Sequence, residues 1–112
     1  MSEEAKKFLA DIRHAIELLE DFLGEITSFL EYQKDLKTKS AVERQLGIIG
    51  EAVNQYRKLE DNKELSHTRQ IVDFRNRLIH SYDNIDDAIV WVIIKKHIPT
   101  LKEEVQKELE NE

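Results

Sequence analysis

Arg69-Gln70-Ile71-Val72-Asp73-Phe74-Arg75-Asn76-Arg77-Leu78-Ile79-His80-Ser81-Tyr82 is the stretch from which the rest of the chain can be read. Projected at about 100° per residue, Ile71, Val72, Phe74, Leu78 and Ile79 fill one arc. Arg69, Asp73, Asn76 and His80 gather on the other side. The pattern predicts an amphipathic helix ending near His80, with one anomaly: Arg75 falls inside the apolar arc. A solvated arginine belongs on the polar face, so Arg75 is buried against a partner, set at a subunit interface, or used.

The residue types suit a phosphate ester. A guanidinium can hold the charge of phosphoryl oxygens, and an imidazole can move a proton near neutral pH. On an ideal helix Arg75 and His80 lie roughly 140° apart. Meeting on one ligand therefore needs the long Arg side chain and a helix that stops near His80, or two chains that meet across an axis. On spacing alone, a structural salt bridge beside a helix-end histidine remains open.

The rest of the chain has the composition of a helical bundle. It is 112 residues long, 40% hydrophobic and 36% charged, with 3 Gly and 1 Pro. One domain over residues 1–112 is expected, too small to enclose a substrate. Without cysteine there is no disulfide, zinc-thiolate site or Cys nucleophile. No run is long enough to span a membrane, and Met1-Ser2-Glu3-Glu4 lacks the basic start of a signal peptide, so a cytoplasmic location is expected. A formal net charge of −6 argues against a nucleic-acid binder that works through a basic surface. Any nucleic-acid chemistry must then rest on a local positive site, or on one doubled by dimerisation.

Outward from the decisive stretch, helix one is expected from about Glu3 to Leu23, striped by Phe8, Leu9, Ile12, Ala15, Ile16, Leu19, Phe22 and Leu23 and stopped at Gly24. His14 lies off that stripe and reads as solvent-exposed. Ile26 to Tyr32 reads as a short helix or structured connector. Ser40 and Glu43 have capping-box spacing for helix three, which can equally start after Asp35 and runs to about Leu59. Its expected buried arc is Ala41, Val42, Ile48, Ile49, Ala52, Val53 and Tyr56, flanked by Arg44 and Glu51. Gly47 and Gly50 each cost about 1 kcal/mol in a helix interior, which points to close backbone approach by another helix. Glu51 either pairs with Arg75 or is an ordinary surface charge.

Glu60 to Glu64 is a charged loop; Ser66 or Thr68 can cap the decisive helix, and His67 reads as exposed. Asn84 with Asp87 makes a cap for helix five, and Asp83, Asp86 and Asp87 read as turn and helix-start residues. The run Ile85, Ala88, Ile89, Val90, Trp91, Val92, Ile93 and Ile94 predicts a helix buried over most of its circumference, with part of that surface available to a dimer. Pro99 is expected to kink or interrupt it. Lys95, Lys96 and His97 form the compact basic cluster, read as a solvated face or an aid to phosphate contact. The fold class is all-α: an up-and-down bundle of four long helices plus a short one.

An arginine, a polar residue, three more residues, then histidine resembles the signature of the HEPN superfamily of small helical ribonucleases. With Tyr82 two places after His80, the pattern looks like the HepT-type toxins, which pair with a minimal nucleotidyltransferase antitoxin. Ser40 to Ala52 upstream and Ile85 to Trp91 downstream extend the likeness over nearly the whole chain. The resemblance implies a homodimer with a shared cleft and a metal-independent endoribonuclease toxin of a type VII-like toxin–antitoxin pair, acting on tRNA or mRNA. Arg75 would hold phosphate, His80 would be acid or base, and Asn76 would orient the site, with Glu51 and Arg77 in support. Tyr82 would be adenylylated by the antitoxin, setting a bulky anion beside Arg75 and His80. A non-catalytic module that binds a nucleotidyltransferase or a nucleotide is the alternative, and a purely structural helical dimer a third.

No His-Glu-x-x-His pattern, aspartate cluster or Gly-rich phosphate loop occurs, so no metal or other cofactor is expected. The chain is not expected to be a nucleotidyltransferase itself.

Overall fold

Each of the first three helices begins on a side chain that accepts a free backbone N–H. In the computed structural model, which describes residues 1–60, 65, 66, 68–80 and 85–111, α1 spans Glu3–Leu23, with Ser2 Oγ 3.0 Å from the Ala5 nitrogen. It ends at Gly24, whose φ of +53° is cheap only for glycine. Helix α2, Phe29–Lys34, starts from Ser28, whose hydroxyl accepts from the Glu31 N–H at 3.2 Å and donates to the Glu31 carboxylate at 3.0 Å. Helix α3, Leu36–Leu59, starts from Asp35, 3.0 Å from the Thr38 nitrogen. That N–H, stabilising the ionised form, holds the Asp35 carboxyl below its ordinary value. Of the two starts the sequence allows, the chain takes Asp35 over Ser40.

Helix α4 is Arg69–His80 and α5 is Asp87–Val92, capped by Asp86. Asn84, the expected cap, lies outside the described residues, as do Asp83 and His67. Between α5 and α6, Ile98–Glu110, the chain makes a single π turn over Ile93–His97, in which the Ile98 N–H reaches the Ile93 carbonyl five residues back. Pro99, in the first turn of α6, explains it: a residue without an N–H and with a bulky ring cannot continue a regular α-helix. The interruption expected at Pro99 is thus a widened turn just before it.

α3 lies along α1 and also packs against α4, while α6 returns along α1 and α2 packs against α3 and α5. The result is the all-α bundle expected. Among the described residues there is no strand, and no helix long and apolar enough to cross a membrane. The core runs through Leu9, Ile12 and Ile16 of α1, Leu46 and Ile49 of α3, Ile71 of α4, and Leu101 and Val105 of α6, all fully buried. Lys102 of α6 ties to Glu20 of α1 at 2.9 Å, and Glu104 accepts the Ser66 N–H at 3.0 Å.

Three apolar assignments need correction. Phe22 is 42% exposed, in the last turn of α1, which ends one residue later. Ile48 is 38% exposed, while Gln45 and Leu46 turn inward and complete the buried arc of α3 in its place. In the Ile85–Ile94 run, Val90, Ile93 and Ile94 are buried but Ile89 and Val92 face outward. The helix has one buried side rather than a buried circumference.

At the far end of the bundle, Trp91 packs on Tyr32 at 5.6 Å between ring centres and edge-on to Phe29 at 6.4 Å. Lys95 sits over the Trp91 ring at 4.8 Å. Lys39 and Asp87 pair at 2.7 Å, mostly buried, joining the first turns of α3 and α5. Beneath them Tyr32 is wholly buried and its hydroxyl has no hydrogen-bond partner. Burial, then the charges of Glu43 and Asp87, push that phenol far above its ordinary value.

The neutral phenol is therefore the form the fold holds. Its contribution is full below the ordinary tyrosine range and is lost as pH rises through the folded value. Tyr32→Phe removes a buried, unpaired hydroxyl, so the variant is expected to be about 1 kcal/mol more stable at neutral pH. Its unfolding midpoint should also decline less above pH ~10 than that of the parent. Urea melts at pH 7 and pH 10.5 check both effects.

Candidate functional site

The α3–α4 seam is set by glycine. A Cβ placed on Gly50 would lie 2.5 Å from Arg75 Cβ and 3.1 Å from the Ile71 carbonyl oxygen. One on Gly47 would lie 3.4 Å from Leu78 Cδ1, an ordinary contact. Gly50 is thus the position where α4 crosses against α3 backbone, and the close approach expected from the two glycines is concentrated there. Arg75 begins at that crossing, and its side chain, 24% exposed, runs along α3.

There its guanidinium meets two oxygen acceptors. Nη2 donates to Glu51 Oε2 in a short ion pair, and Nη1 donates to Asn76 Oδ1 at 3.0 Å. The other Glu51 oxygen, Oε1, accepts from Gln55 Nε2 at 3.0 Å. Gln55 is the member of this set that the sequence reading missed; its signal was the i, i+4 spacing from Glu51 on one helix face. Among the readings open for Arg75 and Glu51, the structure selects a half-exposed pair, with Glu51 itself 44% exposed.

The pair opens onto a groove of about 940 Å³ between α1, α3 and α4. Phe8 and Leu18 of α1, Ile48 of α3, and Leu78 and Ile79 of α4 form its apolar walls. Asp11 and His14 of α1 and Glu43 and Arg44 of α3 stand around it with Glu51 and Arg75. His14 is exposed, as expected, yet it stands at this groove, a position its own helix pattern could not reveal. Burial pushes the Glu43 carboxyl upward, Asp87 adds to that, and Lys39 opposes it.

His80 is exposed at the last residue of α4 and does not line the groove. Asn76 and Arg77 are exposed on the same helix. Within one chain, then, Arg75, Asn76 and Glu51 are brought together and His80 is displayed separately. Tyr82 lies outside the described residues. No group of three or more His, Asp or Glu side chains suited to a metal ion forms among the described residues.

The model of a family described as "Ribonuclease HepT-like" matches residues 12–108. The chain belongs to that HepT-like family. A relative from Thermococcus cleftensis named "Probable ribonuclease HepT" is 39% identical over 111 residues, covering 96% of this chain and 97% of the relative. A Methanocaldococcus jannaschii protein named as a "Putative RNase" is 35% identical over 114 residues, covering 98% and 93%. One from Caldanaerobacter subterraneus subsp. tengcongensis, also named as a "Putative RNase", is 35% identical over 86 residues, covering 76% and 77%. No solved structure matches the chain. The HepT-like match spans α3, α4 and most of α1 and α6, so it takes in the α3 and α4 walls of the Arg75 groove.

Proposed function

We propose that this HepT-like protein is an endoribonuclease that cleaves RNA at a cleft between two copies of the chain, using Arg75 and His80. The observation that carries the reading is the state of Arg75, taken into the groove wall by Glu51 and Asn76 in a family described as "Ribonuclease HepT-like". A guanidinium fixed at two of its nitrogens is pre-oriented, and its remaining N–H donors are free to meet phosphate oxygens as negative charge grows on them. His80 supplies a proton-transfer group, and Asn76 holds the guanidinium plane.

Self-association supports the composite cleft. Ile48 and Ile79, the latter 54% exposed, leave apolar surface at the groove. The groove also carries acidic and basic side chains together, a mixture that can complement itself across a two-fold axis. Two copies would bring a second Arg75 and His80 to the same cleft.

In this reading the protein is the toxin of a toxin–antitoxin pair, acting in the cytoplasm on tRNA or mRNA. Tyr82, two positions beyond His80, is the residue a minimal nucleotidyltransferase antitoxin would adenylylate. The added phosphate would compete with RNA for Arg75.

The test is cleavage of a mixed tRNA and mRNA pool in EDTA by protein shown by mass spectrometry to be unmodified at Tyr82. Wild type is expected to cut, while Arg75→Ala and His80→Ala, folded by circular dichroism, leave the pool intact. If the unmodified wild type leaves RNA whole but binds a nucleotidyltransferase or a nucleotide, the chain is a binding module and the cleavage reading is lost.

A further inference from the structure

Metal-free cleavage of an RNA phosphodiester needs two proton transfers, one from the attacking 2′-hydroxyl and one to the departing 5′-oxygen. The Arg–His stretch of each copy offers one group of suitable chemistry, His80, which does not line the groove of its own chain. The groove holds a candidate for the other. Of the three carboxylates that line it, Asp11 is paired with Lys7 at 3.1 Å, and Glu43 is pushed upward by burial and then by Asp87, with Lys39 opposing. Glu51 is the one in contact with Arg75.

We propose that Glu51 is the general base of the reaction, taking the 2′-hydroxyl proton while Arg75 holds the phosphate beside it. The inference rests on the ribonuclease reading above and deepens it. Three observations carry it. The carboxylate is anchored at both oxygens, by Arg75 Nη2 and by Gln55 Nε2, so its position is fixed. A carboxylate has about four lone-pair sites, and these two bonds occupy two of them. The side chain is close to half exposed, and it opens on the groove rather than the core. Whatever phosphate Arg75 grips through its remaining donors is thereby placed within a side chain's width of a fixed proton acceptor.

The step balances without water. The Glu51 carboxylate takes the proton of the 2′-hydroxyl, and the 2′-oxygen forms its bond to phosphorus. The bond from phosphorus to the 5′-oxygen breaks, and the His80 imidazolium that the second copy of the chain brings to the cleft gives its proton to that oxygen. The products are a 2′,3′-cyclic phosphate and a 5′-hydroxyl end, leaving a protonated Glu51 and a neutral His80 that solvent resets. The charged and titratable groups that line the groove with Glu51 are Asp11 and His14 from α1, Glu43 and Arg44 from α3, and Arg75 from α4, of which Arg75 is bonded to it.

Glu51→Gln is the informative variant, because its amide oxygen still accepts from Arg75 while its capacity to take a proton is gone. Cleavage of the RNA pool is expected to lose about 10²–10³-fold in kcat with KM little changed. End analysis of the wild-type products, which needs no variant, should find cyclic phosphates.

A Glu51→Gln protein that cuts within threefold of wild type overturns the proposal, leaving Glu51 as a holder of Arg75 and the nuclease reading intact. Ends carrying a 5′-phosphate also overturn it, whatever the variant does. Inert wild type that is unmodified at Tyr82 removes the nuclease reading and this inference with it.

Discussion

Arg75→Lys is expected to lower RNA cleavage at saturating substrate by about 10²–10³-fold while the helical circular dichroism spectrum stays that of the parent. Net charge at the position is unchanged, so the loss would measure geometry alone. The arginine spans Glu51 and Asn76 with two different nitrogens and keeps further N–H donors for a phosphate. A lysine offers a single ammonium on a flexible stem. Once drawn to Glu51 it has no rigid fork left to orient a phosphorane. The half-buried start of the side chain at the helix crossing is preserved by the lysine stem, which is why the fold should survive. Activity within fivefold of wild type would show that a point charge suffices and that the Glu51–Arg75–Asn76 arrangement has no part in catalysis.

Gly50→Ala is expected to cost about 2 kcal/mol of stability and to depress cleavage as well. Alanine gains about 1 kcal/mol over glycine in a helix interior. Against this stands a methyl group 2.5 Å from Arg75 Cβ and 3.1 Å from the Ile71 carbonyl oxygen, neither of which can swing aside as a side-chain end can. α4 must shift bodily, and Arg75 moves with it relative to Glu51. Gly47→Ala is the paired control: its methyl meets Leu78 Cδ1 at 3.4 Å, so it should be neutral or up to about 1 kcal/mol stabilising. Urea denaturation of the two variants beside wild type decides it. If Gly50→Ala is as stable as Gly47→Ala, the seam is looser than the backbone distances indicate.

What could be read from sequence divides along physical lines. The extent of helix α1 was legible, because a 3.6-residue stripe and a terminal glycine are local signals, although the Ser2 cap went unread and Phe22 was placed inside. Which side of α3 faces inward was less so: Gln45 is buried and Ile48 is exposed, since inward direction is set by where α1 and α4 lie rather than by hydrophobicity alone. Arg75 announced itself by breaking its own helix pattern, and Gly50 by its cost. The position of His14 at the groove depends on three helices meeting, which no single-helix projection contains; the Glu51–Gln55 tie, an i, i+4 contact within α3, was there to be read and was missed. His80 was legible as chemistry but not as position, for its neighbours in one chain are not the groove residues.

The π turn at Ile93–His97 acts as a phase change in the last third of the chain. An i→i+5 turn holds more residues than an α turn, so every side chain after it is rotated by roughly a quarter turn from where an uninterrupted helix would aim it. One continuous segment can therefore present two apolar stripes on different bearings. Val90 is buried on the α5 side, and Leu101 and Val105 on the face laid along α1. Shortening the turn by one residue would not merely trim the helix. It would swing Leu101 and Val105 away from α1 while leaving α5 in place, so length in this turn is constrained even though the identity of several of its exposed residues is not.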